Sequence, residues 1–140
     1  MAIWQIAFQL VPSNSLGFSD AFILDPQALK TLENEFPRGQ SWHENNMVYG
    51  FLDGTCVELF YHESKLDEIS VKIHVGEVSP KTICCIIKFA QYNDLKILYD
   101  DEIFEANMDN VTHLIKNSKA YLYIHNNSEF WKELHERSQS

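Results

Sequence analysis

Residues 47–75 constrain the fold more than any other stretch of this chain. "MVYGFLDGTCVELFYHE" is two runs of apolar, aromatic and β-branched residues set around Asp53-Gly54. "EISVKIHV" then alternates strictly, with Ile69, Val71, Ile73 and Val75 on one side and Ser70, Lys72 and His74 on the other. A period of two places successive side chains on opposite faces of a sheet, so this pattern predicts strands with one face buried. Asp-Gly is the pair that a two-residue type I′ hairpin takes, because both central residues need positive φ. "SKLD" marks a second reversal. Together they predict an antiparallel meander of three strands.

The flanking segments supply the other elements. "IWQIAFQLV" alternates Trp4, Ile6, Phe8 and Leu10 against Gln5, Ala7 and Gln9, which predicts an N-terminal strand. "DPQALKTLENEFP" reads as a helix with Asp25 as cap, Pro26 in the first helical position and Pro37 as stop. Its inward residues are Leu29, Leu32 and Phe36. "SPKTICCIIKFAQYND" has the same cap-then-proline start at Ser79-Pro80, with Ile83, Ile86, Ile87 and Ala90 at helical spacing. "LKILY" reads as a strand and "DDEIFEANMD" as an acidic connection with room for a short one. "NVTHLIKNS" reads as a short helix with Val111, Leu114 and Ile115 inward. "AYLYIHN" fits either a strand or an extension of that helix. Ser128 caps a final helix, "EFWKELHER". The expected fold is α+β: one mixed, mostly antiparallel sheet with a central meander and helices packed mainly on one face. No linker, repeat or low-complexity segment interrupts residues 1–140, so a single domain is expected.

Charge sets limits on function. The 140 residues carry a net charge of −9. That balance argues against nucleic-acid binding, which needs lysine and arginine to neutralise phosphates. It suits a basic protein partner. The excess is concentrated: Phe51–Ser70 has five acids against one lysine, and Asn93–Asn110 six against one. No apolar run reaches membrane-spanning length, and the N-terminus lacks the basic region of a signal peptide. The three cysteines, Cys56, Cys84 and Cys85, form neither a disulfide framework nor a zinc spacing. A reducing cytoplasm is the expected compartment, with no cofactor and no metal.

Three stretches invite a chemical reading. In "SWHEN", His43 beside Glu44 resembles a base with its orienting acid. Strand neighbours point to opposite faces, however, and no motif supplies a nucleophile. The favoured reading is a loop feeding a strand, with Trp42 packed or presented. Asp53 followed by Glu63 and Lys65 mimics the carboxylate–lysine pattern of metal-dependent nucleases. Here the two halves fall in opposite reversals of the meander. "DDEIFE" brings Asp100, Asp101, Glu102 and Glu105 close together in sequence. It lacks the glycine and spacing of a calcium loop. The favoured reading is a solvated acidic loop, which needs no explanation; the functional one is a docking patch, since clustered like charge can steer a basic partner. No catalytic residue is assigned.

Several runs resemble a family of small acidic bacterial proteins of unassigned function. These are "FPRGQSW", "YGFLDG", "VELFY", "EISVKIHV", "FAQYNDLKIL" and "IKNSKAYLYIHN". The matching positions are Ser41, Trp42, Gly50, Asp53, Glu58, Val71, Ile73, Ser118 and Ala120, and the chain departs from the pattern at His74, where an acid is expected. The family carries no catalytic motif to transfer. Small acidic proteins of this kind often act as immunity proteins, so the resemblance implies one that neutralises a co-encoded toxin. The leading expectation is therefore a non-catalytic binding protein that blocks a basic toxin. Asp100, Asp101, Glu102 and Glu105 would steer the partner and Trp42 would anchor it. The alternatives are a small hydrolase or nuclease using His43, Glu58 and His62, and an accessory or structural subunit with an exposed apolar face. The oligomeric state is left open.

Overall fold

The structure is a computed structural model that describes residues 1–13, 17–36 and 45–124. Its centre is a six-stranded sheet of β1 (Gln5–Pro12), β2 (Asn46–Gly50), β3 (Cys56–His62), β4 (Lys65–His74), β5 (Leu95–Tyr99) and β6 (Glu102–Phe104), in the order β2-β3-β4-β1-β5-β6. Every neighbouring pair is antiparallel. The fold is α+β, and the sheet is wholly antiparallel rather than mixed. The meander β2-β3-β4 forms as expected, and the N-terminal strand pairs with its last member.

Register follows from the alternation. Ile6, Phe8 and Leu10 stand opposite Ile73, Val71 and Ile69, so all six share one face. That face is dry: each of these side chains is at most 4% exposed. The helices α1 (Pro26–Glu35), α2 (Pro80–Tyr92) and α3 (Met108–Lys116) close over it. They contribute Ala28 and Leu32, then Ile83, Ile86, Phe89 and Ala90, then Val111, Leu114 and Ile115. Local chemistry starts each helix. The Asp25 carboxylate accepts from the amides of Gln27 and Ala28, Ser79 Oγ from Thr82, and the Asn107 side chain from Asn110. "AYLYIHN" resolves toward helix, since residues 119–124 are helical. The proposed last helix, "EFWKELHER", with its Ser128 cap, lies outside the described residues, as does Pro37.

Two sequence expectations need correction. Asp53-Gly54 is not a two-residue turn. β2 ends at Gly50, whose φ is +104°, and Phe51–Thr55 forms a wider loop in which the Gly54 amide donates to the Phe51 carbonyl at 3.0 Å. The two-residue hairpins occur elsewhere, at Glu63-Ser64 and at Asp100-Asp101, where both residues of each pair have positive φ. The second reversal thus falls at Glu63-Ser64, and Lys65–Asp67 of "SKLD" already belong to β4. The second correction is Trp4, which is not part of the core face. It precedes β1 and donates its Nε1 hydrogen to the Asp53 carbonyl at 2.8 Å, with its ring 5.8 Å from that of His74.

A Cβ at Gly50 would run into the Thr55 carbonyl oxygen, and an L-residue at that φ is strained even in open space. Gly50→Ala is expected to lower stability by about 2–3 kcal/mol, read from urea denaturation at constant slope. A loss under about 0.5 kcal/mol would show that the loop can re-form without the glycine.

Candidate functional site

The acidic residues singled out by sequence are placed by the hairpin between β5 and β6. Tyr99 pairs with Glu102, so the turn is only Asp100-Asp101, and both adopt the left-handed conformation that aspartate tolerates better than most residues. A turn this tight projects its side chains outward. Asp100, Asp101 and Glu102 are exposed, and none joins an ion pair among the described residues. Glu105 is set apart from them by β6. Its carboxylate lies 3.2 Å from Lys96 Nζ, so its charge is already answered. Trp42, the expected anchor, lies outside the described residues, as do His43 and Glu44. The exposed apolar side chain nearest in register is Ile103, paired with Leu98 and 50% exposed.

The structure also divides the acidic segments by end of sheet. Asp53 lies at the end where β1 begins, because its carbonyl is held by Trp4. The β5–β6 turn lies at that same end, since β5 runs antiparallel to β1. Glu63, Asp67 and the Asp20–Lys65 pair at 3.0 Å lie at the other. Asp53 and Glu63 are thus a β3 length apart, about 20 Å, too far to share a metal ion. Among the described residues no group of three His, Cys, Asp or Glu side chains could hold one.

The face away from the helices is more organised than its sequence suggests. One row crosses all six strands: Val48, Glu58, Ser70, Gln9, Leu98 and Ile103. Glu58 is only 5% exposed and meets Lys72 Nζ at 3.3 Å. Gln9 donates to Glu68 at 2.7 Å. Gln5, which alternation alone assigns to a polar outer face, is 4% exposed. Its Nε2 donates to the carbonyls of Leu52 and Gly54 at 3.0 and 2.6 Å, and its Oε1 accepts from the Ala2 amide at 2.9 Å. The only sequence signal for this role is a glutamine where a strand begins, which is too common to single out. His62 stands at the exposed end of β3 beside Glu63. His74 is half-buried against Trp4, not exposed.

A cleft of about 910 Å³ opens between the start of β1 and the β5–β6 turn. Its walls are Met1–Ile3, the Gln5–Gln9 stretch of β1, Leu98–Asp101 and residues 117–120. Glu58 and His62 are not part of it. Asp100 and Asp101 are thus rim residues of a cavity as well as a surface turn.

Cys56, Cys84 and Cys85 are free thiols. Burial, and secondarily the negative charge of Glu58, push the Cys56 thiol up to about 11, against a smaller opposing pull from Lys72. Burial, then Glu35 and Cys84, push Cys85 up to about 11 as well. Such thiols are poor nucleophiles at neutral pH.

The chain matches no protein-family profile, no curated protein and no solved structure. No residue role is therefore transferred from a relative. No helix among the described residues is long and apolar enough to cross a membrane.

Two measurements follow. Lys72→Met leaves the Glu58 carboxylate buried without its cation and is expected to cost about 3 kcal/mol, with most of the loss recovered when Glu58→Leu is added. Equal stability of Lys72→Met and the parent chain would show that the pair is solvated. The raised thiols also give a pH dependence. Both stay protonated in the folded chain after they ionise in the unfolded chain, so the unfolded state binds fewer protons above pH 9. Stability is then expected to fall as pH rises from about 9 to about 11, and Cys56→Ala with Cys85→Ala should flatten that slope.

Proposed function

We propose that this chain is a non-catalytic binding protein that engages a basic protein partner at the end of the sheet carrying Asp100, Asp101 and Glu102. The observation behind this reading is that these three carboxylates are exposed on a rigid two-residue hairpin and make no ion pair among the described residues. Among the described residues Glu105 and Asp20 are each answered by a neighbouring lysine, and these three carboxylates are not. An unanswered group on a rigid turn suits steering: it raises the encounter rate with a cation-bearing surface and costs little conformational entropy on binding. Glu105 adds to the field but is already neutralised locally. Ile103 supplies apolar area beside the acids, with Trp42 as a further anchor.

In this reading the partner class is a basic toxin encoded beside this chain in a bacterial genome. The chain acts as its immunity protein by covering the toxin's cationic working surface. The free thiols suit a cytoplasmic location. No specific observation favours the hydrolase reading: Glu58 is committed to Lys72, and His62 lies at the strand end outside the cleft.

The test is co-expression with the product of the adjacent open reading frame, followed by association kinetics. A complex is expected at low salt. Asp100→Lys, Asp101→Lys and Glu102→Lys together should slow association by about 10- to 1000-fold and reduce its salt dependence. An association rate unchanged by the triple reversal removes these residues from the interface. A neighbour that forms no complex in either form removes the toxin as partner.

A further inference from the structure

The cleft beside Asp100 exposes main chain as well as side chains. The Val75 amide donates to the Trp4 carbonyl at 3.0 Å, in step with the β1–β4 register. Antiparallel strands alternate hydrogen-bonded with non-hydrogen-bonded pairs. Ile6, Phe8 and Leu10 therefore aim their backbone groups at β4, while Gln5, Ala7, Gln9 and Val11 aim theirs the other way. On that side the Ser13 amide donates to the Asp94 carbonyl at 3.2 Å, so Val11 with Lys96 and Gln9 with Leu98 are the bonded pairs that follow. The next in step is Ala7 with Asp100. There β5 has already turned away, and the ladder stops at Gln9. The Gln5 amide is taken by the Ala2 carbonyl at 3.0 Å. Neither the N–H nor the C=O of Ala7 bonds to the main chain of the Asp100-Asp101 turn, and Ala7 lines the cleft.

This is a break in the edge of an interior strand, not the rim of the sheet. Unpaired strand groups are a template for another strand. The vacated place continues the line of β5, so an occupant would run antiparallel to β1. Its chemistry is set by the walls. Asp100 and Asp101 stand on one side, Lys119 is the one cationic side chain among the lining residues, and Ile3 and Leu98 offer apolar contact. An anionic ligand is repelled by the turn, and a neutral one leaves its carboxylates unanswered.

We propose that the cleft takes an extended, lysine- or arginine-bearing segment of a protein partner as a short added strand. The segment exchanges hydrogen bonds with the Ala7 main chain and sets its cation against Asp100 and Asp101. This rests on the reading of the chain as a binder of basic proteins and names how it binds.

The probe is a capped Lys-Val-Lys-Val-Lys peptide, titrated at low salt into the full-length ¹⁵N-labelled chain. A second peptide of equal charge carries N-methyl groups on its three central residues, which removes the donors a strand needs. With the first peptide, Ala7 amide exchange should slow by about tenfold, and the methylated peptide should bind about tenfold more weakly, as expected for loss of the main-chain hydrogen bond to the Ala7 carbonyl. Asp100→Asn with Asp101→Asn should weaken the binding of both.

Equal binding of the two peptides, with Ala7 exchange unchanged, overturns strand addition while leaving the acidic turn as a docking surface. An Ala7 amide already protected in the free chain also overturns it, because the edge is then closed. Binding of neither peptide overturns it too, and the co-expression assay then decides the broader reading on its own.

Discussion

The placement of β1 is the constraint on which the rest of the sheet depends. Its edge toward β4 carries the meander of residues 46–74, and its edge toward β5 carries the second half of the sheet. Without it the two halves share no strand pairing. Burial fixes its register. A slip by one residue would turn Ile6, Phe8 and Leu10 out of the core and put Gln5 and Gln9 into it. Gln5 adds a polar lock. Its amide satisfies two carbonyls, of Leu52 and Gly54, in the loop that joins β2 to β3 and ties the chain start to the strand. A buried side chain with all these bonds made is stabilising, and the same side chain misplaced would leave them broken.

The two faces of the sheet are held by different physics. The helix-covered face is a continuous apolar layer, from Leu32 of α1 through Ile69, Val71 and Ile73 to Val111 of α3. The opposite face mixes buried apolar residues, Val11, Val48 and Cys56, with a buried ion pair, Glu58–Lys72. Such a pair adds little net stability relative to apolar residues of the same size, but it penalises any arrangement that separates the two charges. It also sets the local field at Cys56, whose thiol is kept neutral by burial and by the nearby carboxylate.

The acidic turn and the cleft share one cause. β5 ends at Tyr99 and reverses within Asp100-Asp101, so it pairs with only the second half of β1. The short reversal exposes the carboxylates, and the early departure leaves Ala7 without a strand partner on the β5 side. One geometric event thus places negative charge and unpaired main chain side by side, and this juxtaposition gives the binding reading a mechanism. The enzyme alternative gains nothing from it, since Glu58 is engaged by Lys72 and His62 lies outside the cleft.

The sequence by itself determined most of the secondary structure and which face of each element is buried. Alternation in "EISVKIHV", helical spacing in "TICCIIKFA", and the Asp-Pro and Ser-Pro starts are local patterns, and local sterics and burial read them directly. It also determined the acidity of residues 93–110. Asp53-Gly54 misled because turn propensity is weak against its surroundings: Gly50 absorbs the positive φ, and the loop is drawn across to Gln5 and Trp4. The third helix starts earlier than its apolar pattern, because Asn107 rather than a residue inside that pattern caps it. Only the tertiary structure decided that Gln5 is a buried hub, that Glu58 meets Lys72, that Glu105 is neutralised while Asp100, Asp101 and Glu102 meet no cation among the described residues, and that a cleft opens at Ala7. Each of these depends on strands far apart in sequence meeting in one register. Pairing partners are chosen by long-range burial, which no short window of sequence records.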